Sequence, residues 1–593
     1  MHRISNIARN ENNEIDLIEQ PSANCIYLTS VKADLNLIAE LTNDDIGDIK
    51  NNIRALNLEY LKTPYQIDHY IKKTISNSKI VVIRLFGDKG TWGYGLEQLS
   101  LWSKLNKNNK LLVLSGTEEQ DIELNELSNI NFEISKKLSF LLRQGGRDNY
   151  LKFLKSLDFI INNKEKIPEK YLIPKSYPDP YYYDWENDNK PSVGIISYKS
   201  LFLANESDLS ENLNRSLRSI GISPKTAFVS TLKNEHIQKE LIQIFQKEKI
   251  ELLITTTSFD SNLNKINKNK VTENKFFEKL NVPVLQVLTS NKNKSSWSKS
   301  SIGINSLDLL MQIIIPEFDG RIITIPCAFK ETISINKNIC SEITKYKFNK
   351  KGINWLVKFV GNYIKLRNLE NKDKKITLII SNYPVKNGRI GNGVGLNTPE
   401  SILNILNWFK DEGYQMGNLE LPKDASKLLK MLIKTRTNDP QSINNYPMDY
   451  LSLRKYESFW KKVPTKSRSK IIKRWNNPIN SIDIEKKGFS INGLRFGNIV
   501  LLIQPSRGYD PQSQKDIHSP DLPPPHRYLA QYFWNYYIFK SNAICHIGKH
   551  GTLEWLPGKS VGLSDKCFPH IICPPIPIIY PFIVNDPGEG SQS

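Results

Sequence analysis

ITLIISNYPVKNGRIGNGVGLNTPESILNILNWFKDEGY, residues 376–414, decides how the chain is organised. Its opening, ITLIISNYP (376–384), is a near-continuous apolar run without polar alternation, the pattern of a parallel strand covered on both faces. A glycine-rich loop, VKNGRIGNGVGLN (385–397), follows it. Thr398 as N-cap, Pro399 at the first helical position and Glu400 in the first turn then predict a helix. It continues through SILNILNWFK and stops near Gly413. Strand, loop and helix in that order make one α/β unit.

The same unit recurs on both sides. KIVVIRLFG (79–87), LLVLSG (111–116), PSVGIISY (191–198), ELLITTTS (251–258), VPVLQVLTS (282–290), NIVLLIQP (498–505) and IPIIYPFIV (576–584) all read as buried strands. Helical segments such as ENLNRSLRSIG (211–221) lie between them. Strands alternating with helices predict a multidomain α/β protein made of several mostly parallel sheets. The aromatic, proline-rich stretch YPDPYYYDWENDNKP (177–191) reads as a boundary, and the charged segment near Lys350–Lys375 as a connecting helix. The expected domains are therefore 1–180, 190–348, a connecting helix at 349–375, and 376–593. A length of 593 residues is too great for one hydrophobic core.

Composition excludes several classes. Hydrophobic residues are 39% and charged residues 24% of the chain, values of a globular rather than a disordered protein. No apolar run reaches the roughly 18 residues of a spanning helix, and the start lacks the core of a secretory signal. No membrane association and a cytoplasmic location are expected. The net charge of +20 invites a nucleic-acid reading. Lysines scattered among Asn and Ser in predicted loops, with no helix-turn-helix, zinc-finger or RNP pattern, argue against it. The six cysteines form no CxxC pair, against a disulfide framework or a zinc ribbon.

Two glycine motifs fail as nucleotide sites. GRIGNGVG (388–395) lacks the G-x-G-x-x-G spacing. Gly558-Lys559-Ser560 would be a P-loop only with a glycine where Leu553 stands. No cofactor-binding residues are expected. If ATP drives this protein's reaction, another polypeptide hydrolyses it.

Of eight histidines, His518, His526, His546, His550 and His570 fall within the 53 residues 518–570. Imidazole suits both proton transfer near neutral pH and first-row transition metals. The densest part is CHIGKHGTLEWLPGKSVGLS (545–564), where His546, His550 and Glu554 are spaced by four. Gly548 and Gly551 make a loop at a strand end a better reading than a helix, and such loops carry ligands in α/β proteins. Composition and spacing support a metal- or proton-handling site, or several histidines satisfied by hydrogen bonds in a loop-rich core.

The blocks HSPDLPPPHRYLAQYFWNYY, AICHIGKHGTLEWLPGKSVGLS and PIIYPFIVNDPGEGSQ, within 518–592, resemble the family of the cobaltochelatase large subunit CobN and the magnesium chelatase H subunit. DLPPPH (521–526), Trp555 and NDPGEG (585–590) are closer to the cobalt branch. Further matches, in family order, are RLFGDKGTWGYGLEQL (84–99), QGGRDN (144–149), PSVGIISYKSLFLAN (191–205), PEFDGR (316–321), NYPVKNGRIGNGVGLNTPES (382–401) and QPSRGYD (504–510). Lys89 and Thr91 depart from the pattern. The family chain continues well past NDPGEG, so a fragment, a split subunit or a truncated reading frame is expected.

The resemblance implies ATP-dependent insertion of Co2+, the substrate metal, into a corrin, hydrogenobyrinic acid a,c-diamide, in cobalamin biosynthesis. It leaves magnesium insertion into protoporphyrin IX, or a non-catalytic tetrapyrrole-binding module, as alternatives. ATP hydrolysis would reside on AAA+ ATPase partner subunits. Glu554 is the expected base that takes ring N–H protons, with His550 as its partner or a transient metal ligand. His546, His518 and His526 are the further candidate metal ligands. Arg507, Lys549 and Lys559 are candidates to pair with corrin carboxylates, and Trp555 is a candidate substrate contact.

Overall fold

The protein is described by a computed structural model covering residues 17–116, 121–162, 166–186, 188–258, 266–267, 270–271, 276–382, 386–393, 395–508, 519–548 and 552–580. Its first sheet contains β1 (Cys25–Thr29), β2 (Ile53–Asn57), β3 (Ile80–Leu85) and β4 (Lys110–Ser115) in the order β2-β1-β3-β4. All three pairings are parallel. β1 and β3 are buried throughout, as their mostly apolar sequence requires, and their polar residues Thr29 and Arg84 both hydrogen-bond Asp34. Helices Lys32–Leu41, Phe132–Gln144 and Arg147–Ile161 contribute to one core, and helices Pro64–Tyr70 and Gly93–Leu105 to another.

The second sheet holds β5 (Tyr181–Tyr183), β6 (Ser192–Tyr198), β7 (Ser223–Val229), β8 (Ile250–Thr255), β11 (Val284–Ser290), β12 (Ile322–Asn336) and β13 (Ser341–Phe348). Its order is β13-β12-β11-β8-β6-β7-β5, with antiparallel partners only at the two edges. The two-residue strands β9 (Ile266–Asn267) and β10 (Lys270–Val271) pair only with each other. β5 lies inside the expected boundary stretch 177–191. The β12–β13 hairpin has no counterpart in the sequence reading, and it joins the first two units. At its tip the Ile339 carbonyl accepts from the Ala55 amide at 3.1 Å, and Ile339 is buried in the core of the first unit.

Helix Lys350–Asn368 sits where a connecting helix was expected and buries Ile353, Leu356, Val357, Val360 and Ile364 against the second sheet. The third sheet follows. It contains β14 (Ile376–Ile380), β18 (Gly493–Phe496), β19 (Ile499–Ile503), β20 (Ala543–Ile547) and β21 (Ile578–Ile579), ordered β18-β19-β14-β20-β21. Beside it, β15 (Asp449–Leu451), β16 (Ile484–Glu485) and β17 (Gly488–Ile491) form a small antiparallel sheet.

Two local expectations need correction. The N-cap of helix Thr398–Asp411 is Asn397, whose side chain accepts from the Glu400 amide; Thr398 is already helical. Asn offers its amide oxygen to that otherwise orphaned donor, and so starts the helix one residue earlier. IPIIYPFIV (576–584), expected as a buried strand, contributes only Ile578–Ile579, and Ile579 is exposed; residues 581–584 lie outside the described residues. Among the described residues no helix is long and apolar enough to cross a membrane.

Candidate functional site

β14 is central, and Ile380 is level with both Ile503 of β19 and Ile547 of β20. Three parallel strands therefore end together, and Ser381, Gln504 and Gly548 stand side by side one residue beyond. Ligands of open α/β sheets bind outside this carboxyl edge. Gly548 is required here. Its φ is +140°, and a Cβ would lie 2.0 Å from the Ser381 hydroxyl oxygen, so only glycine lets the loop leave β20 this close to β14.

His526–Phe533 is helical and continues through a π-helical turn, Trp534–Phe539. Such turns shift the register of side chains and are frequent at functional sites. This segment supplies Tyr528 and Tyr532, both buried beneath the edge. The Tyr528 hydroxyl lies 2.8 Å from the Thr552 hydroxyl, and Gln504 Nε2 donates to both at 3.3 Å. Tyr532 stacks near Tyr528, and its hydroxyl lies 3.5 Å from His546 Nε2.

His546, the fourth residue of β20, is 4% exposed. Burial pushes its pKa down to about 3, so the imidazole is neutral at physiological pH. Its ring lies 5.1 Å from that of Tyr580. The Tyr580 hydroxyl donates to both oxygens of Glu554, at 3.3 and 3.4 Å. Burial first and the Glu554 charge second raise the Tyr580 pKa well above the ordinary phenol value, so this hydroxyl stays a donor. Glu554 itself is exposed. Hydrogen bonds and ring contacts thus link Gln504, Thr552, Tyr528, Tyr532, His546 and Tyr580 to a carboxylate that meets solvent, with the Tyr528–Tyr532 and His546–Tyr580 steps made by the rings.

A model of the CobN/Magnesium Chelatase family matches residues 140–593. The chain belongs to that family. It is 30% identical over 587 residues to the aerobic cobaltochelatase subunit CobN of Pseudomonas aeruginosa, covering 97% of this chain and 46% of the relative. The H subunit of magnesium chelatase from Chlorobaculum parvum is 27% identical over 413 residues, 68% of this chain and 30% of that protein. Among solved structures, the catalytic subunit of cobaltochelatase from Mycobacterium tuberculosis superposes with a TM-score of 0.67 at 26% identity, covering 96% of this chain and 46% of that one. The chain spans about half the length of the curated relatives it matches.

Within this family member, the structure sorts the residues singled out from sequence. Glu554 and His546 meet through Tyr580, and Trp555 is half-buried next to Glu554. His518, Lys549 and His550 lie outside the described residues. Three other assignments change. His526 is no candidate metal ligand: it is fully buried, with Nδ1 2.7 Å from the Tyr456 hydroxyl and Nε2 2.9 Å from the Asn476 carbonyl. Both nitrogens are occupied by the core.

Arg507 is 1% exposed and donates to the Leu522 and Ser519 carbonyls at 2.7 and 3.0 Å, so it pins the 519–522 loop rather than facing a ligand. Lys559 turns toward the second unit, where its ammonium donates to the Trp297 carbonyl at 2.6 Å and also reaches that of Ser300. It ties two units together.

Sequence reading missed Tyr528, Tyr532 and Tyr580, which look like ordinary aromatic core residues. It also missed Arg527, half-buried at the same edge, whose guanidinium donates to Asn438 Oδ1 at 2.5 Å. Asn438 in turn donates to Asn382 Oδ1 and the Gln504 carbonyl, both at 2.7 Å, across the ends of β14 and β19. Among the described residues no group of three His, Cys, Asp or Glu side chains is arranged to hold a metal. Burial raises the nearby Cys545 and Cys573 thiols to about 11 and about 12, so neither is a thiolate at neutral pH.

Proposed function

We propose that this chain supplies the tetrapyrrole-binding and proton-removing part of an ATP-dependent cobaltochelatase large subunit, acting in the cytoplasm on hydrogenobyrinic acid a,c-diamide. The observation that carries the reading is the Glu554–Tyr580–His546 chain at the carboxyl edge of the third sheet. Placing Co2+ in the ring plane displaces ring N–H protons, and each must pass to a base. Glu554 is the exposed carboxylate at the mouth of the site, and a positioned base contributes about 10²–10⁴ in rate.

Tyr580 donates a hydrogen bond to that carboxylate and holds its orientation. His546, buried and held neutral, offers a nitrogen lone pair rather than a site for a proton. Of the three cations read from the sequence, Lys549 is the one left for corrin carboxylates, since Arg507 and Lys559 are engaged by backbone carbonyls. ATP hydrolysis is assigned to AAA+ partner subunits, as no P-loop is present in the sequence.

The cobalt branch is favoured over the magnesium branch by coverage. The cobalt relatives match 97–98% of this chain, whereas the magnesium chelatase protein of Chlorobaculum parvum matches 68%. The test is titration of the purified chain with the corrin precursor and, separately, with protoporphyrin IX, following the Soret band. Saturable binding of the corrin at lower concentration than the porphyrin is expected. Tighter porphyrin binding transfers the protein to the magnesium branch, and binding of neither ends the tetrapyrrole reading.

A further inference from the structure

Helices Leu453–Trp460 and Thr465–Trp475, joined by a four-residue turn, form an outer wall of the third unit. Residues 453–475 contain nine lysines and arginines and one acid, Glu457. Tyr456, Trp460, Ile471 and Trp475 point into the core, and eight of the nine cations are exposed, Arg468 being half-buried. Lys466, Lys470 and Lys473 recur at i, i+4 and i+7 on the exposed side of the second helix. Among the described residues none of the nine cations makes an ion pair with a carboxylate.

Stability does not explain this pattern. Like charges at i, i+4 cost a few tenths of a kcal/mol each, and here Lys466–Lys470 and Lys470–Arg474 accumulate without a compensating acid. The field continues past the helices: Lys566 is exposed nearby, and the Lys559 pKa is lowered first by burial and then by Lys566, Lys292 and Lys466. A concentrated field of one sign on a rigid surface steers and holds a partner of the opposite sign.

The same helices are wired to the candidate site. Trp475 Nε1 donates to the Pro523 carbonyl at 2.7 Å, three residues before His526 opens the helix that carries Tyr528 and Tyr532. Tyr456 reaches His526 Nδ1 from the first helix. Ser467 donates to the Lys566 carbonyl at 2.9 Å.

We propose that this basic helix pair is the docking face for an acidic surface of a protein partner, and that Trp475 and Tyr456 pass the docking strain to the helix behind His546. The proposal rests on the chelatase reading for its partner: the curated relatives are named as subunits, and a face wired to the catalytic edge is where a driving subunit would act. Nucleic acid fits less well. Trp460 and Trp475 are buried, and the half-buried Phe459 is stacked on Tyr537 with Lys462 over both rings, so no fully exposed aromatic platform for bases is presented.

The test uses the full chain and a 20-residue polyglutamate peptide as probe, with a 20-base-pair duplex DNA in parallel, each at low and at physiological salt. The peptide should bind with strong salt dependence. K466E/K470E/K473E should weaken it at least about tenfold, and K466Q/K470Q/K473Q by less. Reversal of three exposed lysines elsewhere, K104E/K107E/K247E, should leave it within twofold. Hydrogen exchange of the amides in 526–532, directly after the three prolines 523–525, should slow when peptide binds. Because the reversed side chains are exposed and mutually repelling, the thermal midpoint should not fall.

Equal binding by wild type and K466E/K470E/K473E, an equal loss in the control triple, or unchanged exchange at 526–532 overturns the proposal. So does duplex DNA binding more tightly than the peptide through the same three lysines. The outcome is separable from the chelatase reading, which stands or falls on tetrapyrrole binding without any acidic probe.

Discussion

Two polar networks in this chain lie at the carboxyl ends of parallel strands, and they are built to opposite plans. In the first unit Asp34 is completely buried and accepts from Tyr27 at 2.7 Å, Thr29 at 2.8 Å, Arg84 at 2.7 Å and Tyr150. Arg84 also donates to the Leu142 carbonyl at 3.1 Å. Four donors fill the carboxylate, and the network closes on itself. In the third unit the chain from Gln504 to Glu554 ends on an exposed carboxylate that accepts from the Tyr580 phenol. A saturated, dry network fixes structure; one that opens to solvent at a basic group retains capacity to take a proton.

The contrast is broken most directly at Asp34. Asp34→Ala strands the Arg84 guanidinium in the core, and a cost of about 3–5 kcal/mol is expected, read as a lowered urea midpoint of the first unit. A loss under about 1 kcal/mol would mean that this network is as dispensable as a surface pair. At the other network the effects should reverse. Glu554→Gln in a full-length subunit should leave the urea midpoint and tetrapyrrole affinity unchanged while slowing metal insertion about a hundredfold. Near wild-type insertion would move the base elsewhere, with His550 next to be tested.

Tyr580→Phe sharpens the comparison, because it removes one donor and little volume. Insertion should slow about tenfold, with the acid limb of its pH profile displaced as Glu554 loses its donor. An unaltered profile would show that Tyr580 serves packing alone.

The smallest effect concerns pH. His526, His546 and His570 all have pKa values lowered by burial, His546 to about 3, against about 6.5 when unfolded. The unfolded chain therefore binds more protons below pH 6.5, and stability should hold above that value and decline below it. The decline from each imidazole is at most about 1.4 kcal/mol per pH unit. Thermal midpoints of the metal-free chain at pH 7.5, 6.5 and 5.5 check this, and His546→Gln should flatten the fall.

Much of this was legible in one dimension. The strands at 79–87, 111–116, 191–198, 251–258, 282–290, 376–384 and 498–505 all appear, because an unbroken apolar run has no stable place except inside a sheet covered on both sides. The antiparallel edge pairs β12–β13 and β5–β7 were not legible, since edge strands mix polar and apolar residues and lack that signature. The site was half legible. A histidine-rich, glycine-interrupted block marks a strand-end loop, but spacing by four cannot tell His546, which joins the chain to Glu554, from His526, which the core absorbs.

Sequence alone thus determined the α/β class, the family and the block that bears the chemistry, because these depend on local periodicity and on residues fixed in order. Tertiary structure alone decided which polar groups the fold itself occupies. Arg507 and Lys559 looked like ligand-seeking cations until folding placed backbone carbonyls from distant segments around them, and Tyr580 looked like core until β21 set it against Glu554. A side chain's availability depends on which donors and acceptors long-range packing brings within about 3 Å, and that distance is not encoded in any short stretch of chain.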